Sequence, residues 1–330
     1  MSSDSDRPVL YLHIGVNKTG TSFIQHVLNA NHRRLAKAGL LYPRTGCLGD
    51  AHYALSQALD FAPMPPINAS IDDVALQKMR ESLRAEIQRW KPHSVVLSSE
   101  MFVVPRQVEL VRSFLEEYDC RILVYLRRHD GWWESVYAQA VKTVRKPPWE
   151  VGFEGFYRHH SKRPNYGNYL ALLQRWAKVF GRENIIVRPY ERQQNQPGLI
   201  HDFFKAIGQA DLLELLEEEN EKVNLSPSPL AIYLIDIYQR CDLKDSTVRK
   251  LVKNILKSHP AKGRQHLLSP TLRRKLVMEK MDDYALIARE FMGRKDGRLF
   301  FDPLPDPDEP WEAPRYPDGI QLVEETVRAL

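Results

Sequence analysis

Gly15-Val16-Asn17-Lys18-Thr19-Gly20-Thr21-Ser22 separates two segments of different hydrophobic period. Before it, Val9-Leu10-Tyr11-Leu12-His13-Ile14 is a short, mostly apolar run that predicts a buried strand of a parallel sheet. After it, Phe23, Ile24, Val27, Leu28 and Leu35 recur at helical spacing, with Gly39 as a natural stop. The chain therefore opens as strand, glycine loop, helix. Such a junction offers unpaired backbone N–H groups at the positive end of a helix, which suits a phosphate or sulfate group. Gly15 and Gly20 permit the turn and a close backbone approach. Thr19, Thr21 and Ser22 add hydroxyl donors, and Lys18 adds a movable cation. A bare turn would need none of these.

Further along, Leu76, Met79, Leu83, Ile87 and Trp90 predict an amphipathic helix after an irregular stretch over 40–72 that includes the Pro63–Pro66 cluster. Ser94–Ser98 reads as a second strand, Val108–Leu115 as a helix and Arg121–Leu126 as a third strand. A helix is expected from about Asp130, with Asp130 as its cap, to Thr143. A loop-rich stretch with clustered aromatics follows Pro147-Pro148, before a helix over Tyr169–Phe180 stopped by Gly181. Ile185–Tyr190 reads as a fourth strand, with Pro189 placing it at an edge or an end. Helices are expected near 228–240, 244–258 and 270–292, the last opened by Ser269-Pro270. Strands alternating with helices predict an α/β fold with a mainly parallel sheet flanked by helices. One domain over 1–330 is expected, with an α/β core over 9–210 and a mainly helical part over 211–330.

The 330 residues carry 47 Lys+Arg against 42 Asp+Glu, a net charge of +5. That suits a protein that handles anions but lacks the localised basic bias of a nucleic-acid binder. Cys47, Cys120 and Cys241 are scattered and form no CxxC pair, so neither a disulfide framework nor a structural zinc site is expected. The polar N-terminus has no signal-peptide core, and no run approaches the ~20 apolar residues of a membrane span. A cytoplasmic location is expected. The oligomeric state is left open, with a homodimer as a candidate.

In the nucleotide-kinase loop GxxxxGK[ST], a lysine and a hydroxyl follow the second glycine and serve the phosphates and Mg²⁺. Gly15 and Gly20 have that spacing, but Thr21 stands where the lysine belongs, and Lys18 lies two residues before Gly20. The displaced lysine argues against standard ATP chemistry. Lys18-Thr19-Gly20-Thr21-Ser22-Phe23 resembles the 5′-phosphosulfate loop of sulfotransferases that use 3′-phosphoadenosine 5′-phosphosulfate (PAPS). That resemblance implies a fold like that of P-loop nucleoside triphosphate hydrolases. It also implies a donor site that includes Asn17, Lys18, Thr19, Gly20, Thr21, Ser22 and Phe23, with Phe23 where relatives stack an aromatic on adenine. The family further implies an Arg at a strand end and a Ser eight residues later for the 3′-phosphate. Arg127 and Ser135 have that spacing, although Arg127-Arg128-His129 departs from the usual Arg-Asn-Pro and leaves Arg127 and Arg128 as alternatives. Arg188-Pro189-Tyr190-Glu191 resembles the segment near the adenine, which brings Tyr190 into the donor site. The resemblance covers about residues 9–210.

The family's chemistry moves a sulfuryl group from PAPS to an acceptor hydroxyl, releasing 3′-phosphoadenosine 5′-phosphate (PAP), with no metal. Lys18 is expected to stabilise the leaving phosphate. A general base is also needed. His52 is preferred, since that region supplies the base in glycan-modifying relatives, and Glu100 is second. His13 reads as a buried histidine and His129 as a helix-start residue. The acceptor is expected to be a carbohydrate or a small metabolite. An ATP-dependent P-loop kinase and a non-catalytic nucleotide-binding relative are the competing readings.

Overall fold

The computed structural model describes residues 7–61, 73–104, 106–217, 227–261, 263 and 265–330. The Pro63–Pro66 cluster lies outside the described residues. The chain runs β1 (Val9–His13), α1 (Thr21–Ala30), α2 (His32–Lys37), β2 (Leu40–Leu41), α3 (Tyr53–Ala58), α4 (Asp73–Trp90), β3 (Ser94–Ser98), α5 (Val108–Phe114) and β4 (Asp119–Leu126). It continues through α6 (His129–Thr143), α7 (Phe153–His160), α8 (Tyr169–Phe180), β5 (Ile185–Pro189) and α9 (Leu199–Ala206). The remaining helices are α10 (Pro229–Arg240), α11 (Asp245–Ser258), α12 (Pro270–Met278), α13 (Met281–Met292) and α14 (Gly319–Ala329).

The five strands form one parallel sheet in the order β2-β3-β1-β4-β5. β1 is central: the chain crosses first to the edge strand β2, returns through β3 beside β1, and then crosses to β4 and the opposite edge β5. The loop after β1 therefore opens at the switch point of the sheet, where the carboxyl ends of neighbouring strands diverge and ligands characteristically bind. Register places His13 beside Ser98 of β3 and Leu123 of β4. Pro189 ends the edge strand β5, where a missing N–H costs no ladder bond.

The chain divides into two compact units interleaved along the sequence. The first comprises 1–127, 168–221 and 282–302, and the second 128–167, 222–281 and 303–330. In the first unit, alternate strand residues feed the two sheet faces. Tyr11, Val96, Leu123 and Tyr125 pack with Ile24, Val27 and Leu28 of α1 and Phe203 and Phe204 of α9. On α8, Trp176 meets Phe102 edge-on at 6.1 Å, with Phe61 beside both rings. Arg188 and Tyr125 both bind the buried Asp202, Tyr125 Oη donating at 2.7 Å, which ties β4 and β5 to α9.

In the second unit, α6 packs against α10, α12 and α7, and α11 packs against α10 and α14. The buried Asp236 carboxylate on α10 accepts from Tyr137 Oη at 2.9 Å, Gly152 N at 2.8 Å and Arg240 Nε at 3.0 Å. A buried charge is tolerable only when its lone pairs are met in this way. No helix among the described residues is long and apolar enough to cross a membrane.

Several elements differ from expectation. The first helix is two, because Asn31 leaves helical geometry and its side chain donates to the Val27 carbonyl at 3.0 Å, ending α1. The expected 270–292 helix breaks between Met278 and Met281. Asp130 is not a cap. Arg128 holds the N-cap position of α6, and the Asp130 carboxylate binds the Arg128 guanidinium. Helices α3 and α7 and strand β2 have no counterpart among the expected elements, whereas α9 and α14 lie in the stretch after about residue 198 that reads as mostly helical.

Candidate active site

The loop after β1 is built from the inside. Thr19 is fully buried, and its hydroxyl donates to Val16 O at 2.6 Å. Thr21 is buried and packs against Gly15, where a Cβ would lie 2.4 Å from Thr21 Oγ1. Gly20 is the N-cap of α1 at φ 77°, and a Cβ there would meet Leu199 Cδ2 at 2.3 Å and Tyr190 Cε2 at 3.2 Å. Both glycines are thus required by space, and Gly20 by conformation as well. Lys18 also takes a left-handed conformation, at φ 71°.

The first turn of α1 has no side-chain cap and no acidic residue. The helix's own first turn thus leaves its positive end unneutralised, which suits the loop to an oxyanion. Asn17 and Ser22 are exposed at the loop surface and Lys18 and Phe23 are half-buried, Phe23 leaning on the first unit's core. The Thr19 hydroxyl, expected to serve a ligand, instead serves the loop.

Arg127 follows β4, the strand next to β1. Its Nη1 donates to the Lys18 carbonyl at 3.0 Å, and its guanidinium lies 5.7 Å from the centre of the Tyr190 ring. Tyr169 Oη donates to the Arg127 carbonyl at 2.8 Å. Lys18, Gly20, Arg127 and Tyr190 therefore surround one loop in the first unit. A guanidinium has five N–H donors, and among the described residues only Nη1 of Arg127 meets an acceptor. Arg128 is differently used. It forms a two-pronged pair with Asp130, at 3.0 and 2.8 Å, and donates to Pro303 O at 2.7 Å. Of the two arginines, Arg127 is the one that belongs to the first unit and bonds the loop backbone. Ser135 is half-buried on α6 in the second unit. Glu191 is a structural clamp, accepting from the backbone N–H groups of Phe301 and Asp302 and from Gln194.

The two candidate bases differ sharply. His52 is fully buried. Its Nε2 donates to Pro43 O at 3.0 Å and its Nδ1 accepts from Ser98 N at 3.0 Å, so its tautomer is fixed and both nitrogens are occupied. Burial pushes its pKa down to about 4, with the two backbone hydrogen bonds opposing the fall. The ring acts as a strut between the Pro43 segment and β3, with no lone pair left for an acceptor hydroxyl.

Glu100 begins the short 3-10 turn after β3 and is half-buried. Its Oε1 accepts from Tyr53 Oη at 2.7 Å and its Oε2 from Gln25 Nε2 at 3.3 Å. Gln25 also donates to Ser98 Oγ at 3.1 Å and lies one helical turn after Thr21 on the buried face of α1. Gln25 thus links the carboxylate to the helix that begins at the loop. Gln25 and Tyr53 are not among the residues that the sequence motifs single out. Their signals were the i, i+4 relation of Thr21 to Gln25 and the adjacency of Tyr53 to His52.

His13 is buried, with Nδ1 2.9 Å from Ser98 Oγ and Nε2 without a partner among the described residues. Burial pushes its pKa down to about 3. His129, in the second unit, is buried with Nε2 2.7 Å from Gly167 O, and burial lowers its pKa to about 4.

No family model matches the chain. A segment of 137 residues is 34% identical to an uncharacterized protein of Archaeoglobus fulgidus, covering 41% of this chain. The match spans about a third of that relative's length, 34%. Among solved structures, a sulfotransferase from Alicyclobacillus acidocaldarius aligns over 71% of this chain and 94% of its own, at 18% identity and a TM-score of 0.43. At that score and identity the likeness carries no functional weight.

Proposed function

We propose that the chain is a sulfotransferase that moves a sulfuryl group from PAPS to a hydroxyl of a carbohydrate or small metabolite. The observation that carries this reading is Arg127 turned back on the Lys18 loop. One oxyanion site at the start of α1 suits many phosphorylated ligands. A second strong oxyanion donor beside it, over the Tyr190 ring, suits an adenine nucleotide phosphorylated at both the 5′ and 3′ positions. Lys18, set before Gly20 rather than after it, adds a cation at the loop.

In this reading the loop N–H groups, Thr21 and Ser22 hold the 5′-phosphate, and Arg127 holds the 3′-phosphate. Phe23 and Tyr190 flank the base. The assignment of Ser135 rests on its sequence spacing from Arg127 alone, and Ser135→Ala tests it. Glu100 takes the proton of the acceptor hydroxyl as the new O–S bond forms. The S–O bond to the 5′-phosphate breaks, its electron pair passes to the phosphate oxygen, and Lys18 balances the charge that collects there. Glu100 is preferred to His52 because it is the half-buried carboxylate at the sheet edge, whereas the imidazole is sealed between two backbone groups.

Thermal denaturation with nucleotides tests the donor. PAP at a hundredfold excess over its Kd should stabilise the fold by about 2.7 kcal/mol. AMP and ATP should do much less, and Arg127→Gln should erase the preference. Equal stabilisation by AMP would remove the 3′-phosphate assignment, and Mg²⁺-dependent stabilisation and turnover of ATP would favour a kinase. With an acceptor in hand, Glu100→Gln should lose turnover while PAP binding persists.

A further inference from the structure

The second unit carries a groove of about 620 Å³ lined by the C-terminal ends of α6 and α10 and by α11. That is ample for a small organic molecule, whose sites span roughly 300–1,000 Å³. Along α11, Val248, Val252 and Leu256 recur every four residues and give the groove an apolar wall. Lys142, Arg249 and Lys253 line it as well.

Arg145 and the groove's one carboxylate, Asp245, consume each other, with Nε donating to Oδ1 at 3.0 Å. The same guanidinium donates to the carbonyls of Tyr238, Gln239, Cys241 and Leu243, closing the C-terminal end of α10. Lys142, Arg249 and Lys253 have no carboxylate within ion-pair distance among the described residues. Arg249 and Lys253 are exposed, but Lys142 is half-buried, and burial lowers its pKa. Three cations thus line one groove with no carboxylate of the described residues paired to any of them. Gln239 adds a further unmet group. It is 3% exposed and lines the groove, its Nε2 donates to Lys142 O at 3.2 Å, and its Oε1 has no partner among the described residues.

We propose that this groove is a binding site for a free single-chain organic anion. Its apolar chain would lie along Val248, Val252 and Leu256, and its acid group would meet Lys142, Arg249 and Lys253. An inorganic anion would leave the apolar wall wet, and an uncharged chain would leave the three cations uncompensated. The two features together select an amphiphile. The site is separate from the chemistry proposed for the Lys18 loop and does not depend on it.

Calorimetric titration of the full chain with decanoate tests the proposal, with decanol and inorganic phosphate as controls. Decanoate should bind saturably at one site, at least about tenfold more tightly than either control, since a charge-assisted contact and a buried chain are each worth a factor of ten or more. Arg249→Gln, at an exposed position that leaves packing intact, should weaken decanoate about tenfold, and Val252→Asp should abolish binding. The proposal fails if decanoate does not saturate, if decanol binds equally well, or if Arg249→Gln changes nothing. It fails also if the protein ignores decanoate yet sediments with phosphatidylglycerol vesicles, which would make the surface a membrane contact.

Discussion

Lys18 holds a backbone conformation that costs an L-residue about 1–2 kcal/mol. Glycine would hold it at no steric cost. The strain is retained where a side-chain ammonium sits in a loop otherwise shaped by glycines and small hydroxyls. Strain of this kind is common at functional sites, because the surrounding contacts over-determine it. Here those contacts are the Arg127 bond to the Lys18 carbonyl and the Thr19 hydroxyl bond to Val16 O. Lys18→Gly relieves the strain while adding about 1 kcal/mol of unfolded-state entropy. Its Tm should therefore stay within about two degrees of the parent. Under the proposed chemistry its turnover should fall by at least ~10²-fold, as for loss of a group that meets developing charge. A large Tm loss would mean that the lysine is structural, and retained turnover would mean that it does not touch the reaction.

At the scale of elements, Gly20 is where β1's loop, α1, the end of β5 and the start of α9 meet. Gly20→Ala forces a methyl group to within 2.3 Å of Leu199 Cδ2 at a positive φ. Overpacking and strain together should cost about 2–4 kcal/mol in urea denaturation. Leu199→Ala should restore at least ~1 kcal/mol of that loss in the double variant, because it removes the atom in collision. Additive losses would show that the joint is not packed in this way. Other parts of the frame were legible because local and tertiary preferences agree. β3 and α8 have the bounds that their apolar runs and flanking Pro92 and Gly181 predict. The spacing of α7, with Phe153, Phe156, Tyr157 and His160 on one face, was present too, but Pro147-Pro148, Gly152 and Gly155 disguised it as loop. β2 is two residues long and exists only through pairing with β3, which no local pattern encodes. The break at Asn31 likewise depends on where one amide side chain turns. In the site, loop residues 15–22 were readable because glycine spacing and hydroxyls are local features. Choosing between His52 and Glu100 needed burial and hydrogen-bond partners, which neighbours in space decide and neighbours in sequence do not.

Across the whole molecule, four histidines in the two units are buried and held neutral. Burial lowers the pKa of His13 to about 3 and that of His52, His129 and His160 to about 4, from an ordinary value of 6.5. Above pH 6.5 neither the folded nor the unfolded chain protonates them, and their neutral burial costs nothing in charge. As the pH falls through 6.5, the unfolded chain binds protons that the folded chain refuses, so stability declines until the pH reaches the folded values. Each group contributes a slope of at most about 1.4 kcal/mol per pH unit within that window. Urea denaturation should therefore give a flat stability from pH 8 to about 7, then a decline as the pH falls towards 5, above the range where most carboxylates titrate. His13→Gln should reduce the slope between pH 6 and 5 by about one proton's worth while leaving the others in place. A stability that stays flat down to pH 5 would mean that these imidazoles gain protons in the folded state, and that water reaches the cavities that hold them.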